Sequence, residues 1–416
     1  MKLLHTPEGV RDIYNGECEK KNKLQENLHN TLKKYGYHPI QTPTFEFFDV
    51  FNHEVGTIPS KDLFKFFDRE GNTLVLRPDI TPSIARAASK YFMDEKIPIR
   101  LSYMGNTFIN NSSYQGRLKE STQLGAELIG DSSVDADTEI IVLVIELLLT
   151  AGLKDFQVSI GQVDFFKSLI KEANFDEETE ENLREYITNK NIFGVEEILS
   201  IPEFSSELKE IFLKMTHLFG SIEVVSEAKR LTTNEGAINA LQRLEKIYEV
   251  LSFYGFEQYV SFDLSMLNSY QYYTGVIFRA FTFGTGDAVV KGGRYDQLMA
   301  RFGKNSPSIG FAVVIDQLMN ALARQKIDIP IEKNTTLIVY TENMRQNAIH
   351  LAMNLRKKSC NVELILMDYN NETDIYEDYA LKNHIQEILI INNNKVKKIN
   401  IEEKHIQELT MEDLLY

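Results

Sequence analysis

Apolar residues recur at helical spacing over residues 17–35, where Leu24, Leu28 and Leu32 fall four apart on one face of an amphipathic helix. Gly36 ends it. The run 37–47 then reads as strand, with Pro39 and Pro43 confining it to a sheet edge or a break, because proline cannot donate to a ladder. Two short strands, 63–68 and 73–77, bracket the turn-forming Glu70, Gly71 and Asn72. Thr81 is placed to cap a helix over 82–92. Residues 98–107 and 119–129 read as antiparallel strands joined by a polar loop. A helix at 135–149 and a strand at 156–160 follow.

From about 165 to 250 the chain is rich in Glu, Lys and Leu at helical periodicity, which predicts a helical insertion. Strands return at 260–264, 276–282 and 289–291. Mixed strands and helices without regular β-α alternation predict an α+β antiparallel sheet flanked by helices rather than a doubly wound fold. A polar stretch with Pro330 marks a boundary. It divides residues 1–328 from a small C-terminal α/β domain, 334–416, with strands at 337–340, 362–366 and 388–391 and a helix at 347–357. The KVKK run at 395–398 reads as solvated surface.

Composition narrows the class. The chain has 416 residues, 43% hydrophobic and 25% charged, as in an ordinary globular protein of two or three domains. A formal net charge of −15 disfavours broad phosphate-backbone binding, so no nucleic-acid partner is expected. Two distant cysteines, Cys18 and Cys360, fit a reducing compartment, and no HxxH or HExxH spacing suggests a metal site. The N-terminus lacks a signal-peptide pattern. The apolar run at 140–149, interrupted by Glu146, is too short to span a bilayer. Cytoplasmic residence without membrane attachment is the expectation, and neither cofactor nor metal is anticipated.

The segments that carry chemistry are DLSMLNSYQYYTG at 263–275 and KGGRYD at 291–296. Around them stand TPEGVRDIY (6–14), KYGYHPIQTPTFE (34–46), LRPDIT (76–81), QGRLKESTQLGAELIG (115–130) and SIGFAVVIDQL (308–318). In this order they resemble the active-site core of histidyl-tRNA synthetase, a class II synthetase. The resemblance is nearest to the synthetase paralogues that serve as regulatory subunits of ATP phosphoribosyltransferase. It implies a class II synthetase-like sheet, a dimer interface made by the first helix and the 37–47 segment, and a C-terminal domain in the place of an anticodon-binding domain.

Aligned to the family's motifs, Ile109 stands at the motif 2 arginine, Asn268 at the histidine-specific arginine and Gln317 at the motif 3 arginine, while Asn111 replaces the motif 2 glutamate. Adenylate formation needs fixed, always-charged forks on the developing phosphate charge. The resemblance therefore implies a non-catalytic protein. The amino-acid end persists: Asp79, Thr81 and Gln123 correspond to acceptors for a substrate ammonium, Glu127 to the carboxylate facing an imidazole, and Tyr272 to a hydroxyl opposite. Tyr273 and Arg294 complete the expected histidine pocket. Lys119 or Arg117 could answer the ligand carboxylate.

Each residue also has a plainer role. Tyr272 or Tyr273 could be a core aromatic, Gly292 and Gly293 a bulge or turn, Arg294 and Asp296 a local pair, and Glu127 a satisfied buried acid. Three functions follow. The first is a regulatory subunit working with a short-form ATP phosphoribosyltransferase catalytic subunit, with histidine as effector. The others are a divergent histidyl-tRNA synthetase and an amino-acid-sensing partner of another enzyme.

Overall fold

The computed structural model describes residues 4–51, 58–111, 118–200, 205–267, 273–331, 334–368, 374–393, 395–401 and 403–415. Two compact units emerge, Met1–Asp12 with Leu24–Asp328, and Ile13–Lys23 with Ile329–Tyr416. The sequence reading kept residues 13–23 in the first unit; the structure groups them with the second. There Gly16 is close to His384, whose Nε2 a β-carbon would meet at 2.9 Å.

Helix α1 (Asn15–Lys34) is followed by β1 (His38–Pro39), β2 (Phe45–Phe47), β3 (Lys65–Phe67), β4 (Thr73–Leu76), α2 (Thr81–Tyr91), β5 (Ile99–Phe108), β6 (Glu120–Ile129), α3 (Val134–Thr150) and β7 (Phe156–Gln162). The predicted insertion comprises α4 (Val163–Ala173), α5 (Glu177–Thr188), α6 (Ile192–Leu199), α7 (Ser206–Met215), the two-residue β8 (Phe219–Gly220), α8 (Glu223–Arg230) and α9 (Glu235–Tyr254). The unit closes with β9 (Val260–Asp263), β10 (Val276–Thr282), β11 (Val290–Arg294), α10 (Leu298–Arg301), β12 (Ser308–Val314) and α11 (Ile315–Arg324). As the prolines require, the 37–47 run is broken into β1 and β2.

Nine strands form one sheet in the order β1-β5-β6-β12-β11-β10-β7-β9-β8. Only the pairs β1–β5 and β7–β9 are parallel. Alternation along the strands gives the sheet two faces. On one, α2 and α10 cover Leu101, Tyr103 and Ile277, with Ile84, Leu298 and Met299 between them. Helices α3, α9 and α11 also pack on the sheet. Helix α3 is buried nearly all round, which explains its apolar run without invoking a membrane. No helix among the described residues is long and apolar enough to cross a membrane. A separate three-stranded sheet, β2-β4-β3, stands apart from the large one.

The second unit is a five-stranded sheet, β14-β13-β15-β16-β17. It is built from β13 (Thr335–Tyr340), α12 (Arg345–Lys357), β14 (Asn361–Leu366), α13 (Asp374–Lys382), β15 (Glu387–Asn392), β16 (Lys395–Asn400), β17 (His405–Thr410) and α14 (Met411–Leu415). Strands β14, β13 and β15 run parallel and the last two antiparallel. Apolar clusters lie on each face, one around Ile338, Leu351 and Leu389, the other around Val339, Tyr376 and Ile390. The KVKK run forms part of β16 instead of plain surface. Val396 enters the core, and Lys398 Nζ meets Glu387 Oε2 at 2.6 Å.

Candidate functional site

On the face of the large sheet that carries α2, residues of β6, β11 and β12 line a cavity of about 740 Å³, together with the start of α2 and Asp316, Gln317, Asn320 and Arg324 along α11. The register explains how the strands supply it. Glu127 on β6 pairs with Gly310 on β12, and Gly310 with Gly293 on β11, so these three point the same way. Ser121 and Gln123 precede Glu127 on β6 by an even number of residues, as Lys291 precedes Gly293 on β11, so each shares its face. Ser121, Gln123, Gly310 and Lys291 all line the cavity.

Glycine on this face makes room for larger groups. A β-carbon on Gly310 would overlap Glu127 Oε2, and one on Gly293 would stand 2.8 Å from the Tyr273 ring. Gly292 and Gly293 are therefore neither bulge nor turn. They lie in regular ladder on both sides, and β11 extends three residues beyond its predicted end.

Glu127 is fully buried behind the lining. Its Oε1 accepts a hydrogen bond from Thr81 Oγ1 at 2.8 Å, and its Oε2 accepts a short one from the Tyr295 hydroxyl. Burial pushes its carboxyl up to about 8, against the two hydroxyl donors that pull it down, and nearby Asp79 raises it further. Burial likewise raises Tyr103 and Tyr295, which stay neutral donors. Tyr103 donates to the Phe311 carbonyl at 3.3 Å.

Thr81 is not the helix cap the sequence suggested. Ile80 holds the cap position without a side-chain bond, and the Thr81 hydroxyl is directed to Glu127. Asp79 Oδ1 instead accepts from the Ile80 amide at 2.7 Å.

The structure brings Asp79, Thr81, Gln123 and Tyr273 to the cavity wall, with Glu127 immediately behind Thr81. Ile109, Asn111 and Gln317 line the same cavity. Asn268 and Tyr272 lie outside the described residues. Arg294 does not belong with the pocket. Its neighbours Gly293 and Tyr295 face the cavity, so alternation sends Arg294 to the other side, where it is 3% exposed. Its Nε and Nη2 donate to Asp137 Oδ1 at 2.8 and 2.6 Å, and its Nη1 to the Asp131 carbonyl and, at 3.2 Å, to Asp296. Arg243 from α9 reaches Asp137 Oδ2 at 2.6 Å. This buried cluster ties α3 and α9 to the sheet; the local Arg294–Asp296 pair is one part of it. Tyr295, absent from the sequence-derived site, is central to it. The signal was present in KGGRYD, where every second residue shares a face.

Comparison with known proteins follows this geometry. A family profile described as histidyl-tRNA synthetase matches residues 9–318. The ATP phosphoribosyltransferase regulatory subunit of Ruminiclostridium cellulolyticum is 40% identical over 413 residues, covering 99% of this chain and 98% of that protein. The regulatory subunit of Acetivibrio thermocellus matches at the same identity and coverage. Among solved structures, an ATP phosphoribosyltransferase regulatory subunit/histidyl-tRNA synthetase from Bacillus halodurans superposes with a TM-score of 0.82 at 34% identity, covering 93% of this chain and 98% of its own. A histidyl-tRNA synthetase from a Nostoc species shares the fold over 99% of both chains, with a TM-score of 0.81 at 18% identity. The chain belongs to the histidyl-tRNA synthetase family, among its ATP phosphoribosyltransferase regulatory subunits.

Proposed function

We propose that this chain is a cytoplasmic, non-catalytic regulatory subunit of ATP phosphoribosyltransferase. It assembles as a dimer with a short catalytic subunit, supports that subunit's activity and carries histidine feedback. The observation that carries this reading is the divided character of one cavity. Acceptor groups at Asp79, Thr81, Gln123 and Glu127 remain at its amino-acid end, while Ile109, Asn111 and Gln317 occupy positions where phosphate chemistry needs charge. Each donor to a developing oxyanion contributes roughly 3–4 kcal/mol, so these losses speak against adenylate formation.

An imidazole suits the inner end. Burial raises the Glu127 carboxyl to about 8, which favours its protonated form at neutral pH. A ring nitrogen entering beside it can share that proton, giving a pair that is neutral overall and avoids burying a lone charge. Feedback then requires only that one state of the assembly bind histidine better than the other.

Mixing the purified chain with a short catalytic subunit and following product formation tests the proposal. Activity that depends on this chain and falls with added histidine is the expected result. Full activity of the catalytic subunit alone, or histidine-dependent pyrophosphate exchange by this chain alone, would overturn it.

A further inference from the structure

We infer that the pocket grips an imidazole-bearing primary amine by its nitrogen groups and makes no use of its carboxylate, so that the corresponding amino alcohol binds as well as the amino acid. This rests on the histidine reading of the same cavity and specifies which atoms of the ligand are recognised.

The inner wall offers acceptors. Asp79 and Thr81 line it, Glu127 stands behind, and Gln123 Oε1 is buried with no hydrogen-bond partner. A buried acceptor without a donor is unfavourable, and an ammonium N–H satisfies it. The lining as a whole carries the same sign. Among the described lining residues, Asp62, Asp79, Asp287 and Asp316 face only two cations, Lys291 and Arg324.

Both cations are engaged within the protein. Lys291 Nζ lies 3.0 Å from Asp287 Oδ2, and Arg324 Nη1 donates to the Gly284 carbonyl at 2.6 Å. A ligand carboxylate entering here meets a lining in which carboxylates outnumber cations and Lys291 is already paired, whereas an ammonium is stabilised by the same field.

The test is titration calorimetry on the full chain assembled with the catalytic subunit, comparing histidine with histidinol, in which CH2OH replaces the carboxylate. Histidinol is expected to bind within about threefold of histidine, the range left when a partly exposed ion pair contributes little. Glu127→Gln should weaken both ligands in parallel, and Lys291→Met should leave histidine affinity within the same range. If histidine binding depends on Glu127 but histidinol binds ten- to a hundredfold more weakly, a charge-assisted contact holds the carboxylate. That result overturns the inference and leaves the histidine reading intact, as does a similar loss of histidine affinity in Lys291→Met. If neither ligand's affinity depends on Glu127, the histidine reading of the cavity fails and the inference falls with it.

Discussion

At the scale of single residues, Glu127 concentrates the chemistry of the site. Glu127→Gln keeps the shape but cannot share a carboxyl proton with an imidazole to form the charge-assisted pair. Losing a charge-assisted hydrogen bond costs about 1.5–3 kcal/mol, so the histidine concentration needed to inhibit the assembled enzyme should rise some ten- to hundredfold. An unchanged inhibition curve would place the effector elsewhere. The same carboxyl makes a pH prediction. Its value rises from 4.5 to about 8 on folding, so between those limits the folded chain holds a proton that the unfolded chain has lost. Stability from this group is fully present below pH 4.5 and is lost as pH climbs toward 8. Urea unfolding across that window should show a decline in the parent chain that is shallower, by up to one proton, in Glu127→Gln. Gly310 is the complementary test. A methyl group there collides with Glu127 Oε2, so Gly310→Ala should destabilise the chain by about 1–3 kcal/mol and weaken histidine inhibition together.

At the scale of elements, the two segments to which the sequence reading assigned a dimer interface, α1 and residues 37–47, present different surfaces. Leu24, Leu28 and Leu32 are buried within the chain itself, and Thr31 bonds Thr150 on α3. The leucine face of α1 is thus spent on its own core. Phe45 and Phe47, at 52% and 56% exposure, share a face of the small sheet with Phe66, and the Phe45 and Phe66 rings stand edge to face at 5.7 Å. Such exposed aromatic area suits a second copy. Charging both positions, Phe45→Glu with Phe47→Glu, should shift sedimentation at micromolar concentration from dimer to monomer; a parent chain that is already monomeric would refute the dimer. Asp137 joins three elements by holding Arg294 and Arg243. Asp137→Ala leaves the Arg294 guanidinium buried without its main counter-charge, which should cost roughly 3–5 kcal/mol in denaturant unfolding.

At the scale of the molecule, the proposed function treats the cavity on the synthetase-like sheet as one that keeps contacts for an ammonium and an imidazole and has lost the charge that phosphate chemistry needs. Purified chain should show no histidine-dependent exchange of pyrophosphate into ATP. Restoring a single arginine at position 109 should not create exchange, because Gln317 still stands on the same wall. The second unit follows its own core on both faces of a five-stranded sheet, and its last two strands and α13 were not foreseen. Their short polar stretches, such as KVKK, have too little periodicity to separate strand from surface until pairing with β15 supplies the missing hydrogen bonds.

The order of motifs and the spacing of apolar residues determined the family, the α+β class, the helical insertion and most strands, because hydrophobic period and turn residues are local properties. The resemblance of the motifs to the family, and not periodicity, marked Asp79, Thr81, Gln123 and Glu127 as companions. Direction was decided only by tertiary structure. Whether Thr81 caps its helix or bonds a carboxylate forty-six residues later depends on where β6 passes. Whether Gly293 bends the chain or clears space depends on the Tyr273 ring above it. Arg294 and Tyr295 are neighbours in sequence, yet pairing between β11 and β12 sends one to a buried ion cluster and the other to Glu127. A strand has two faces, and only the sheet and the helices packed on it determine which one becomes the site.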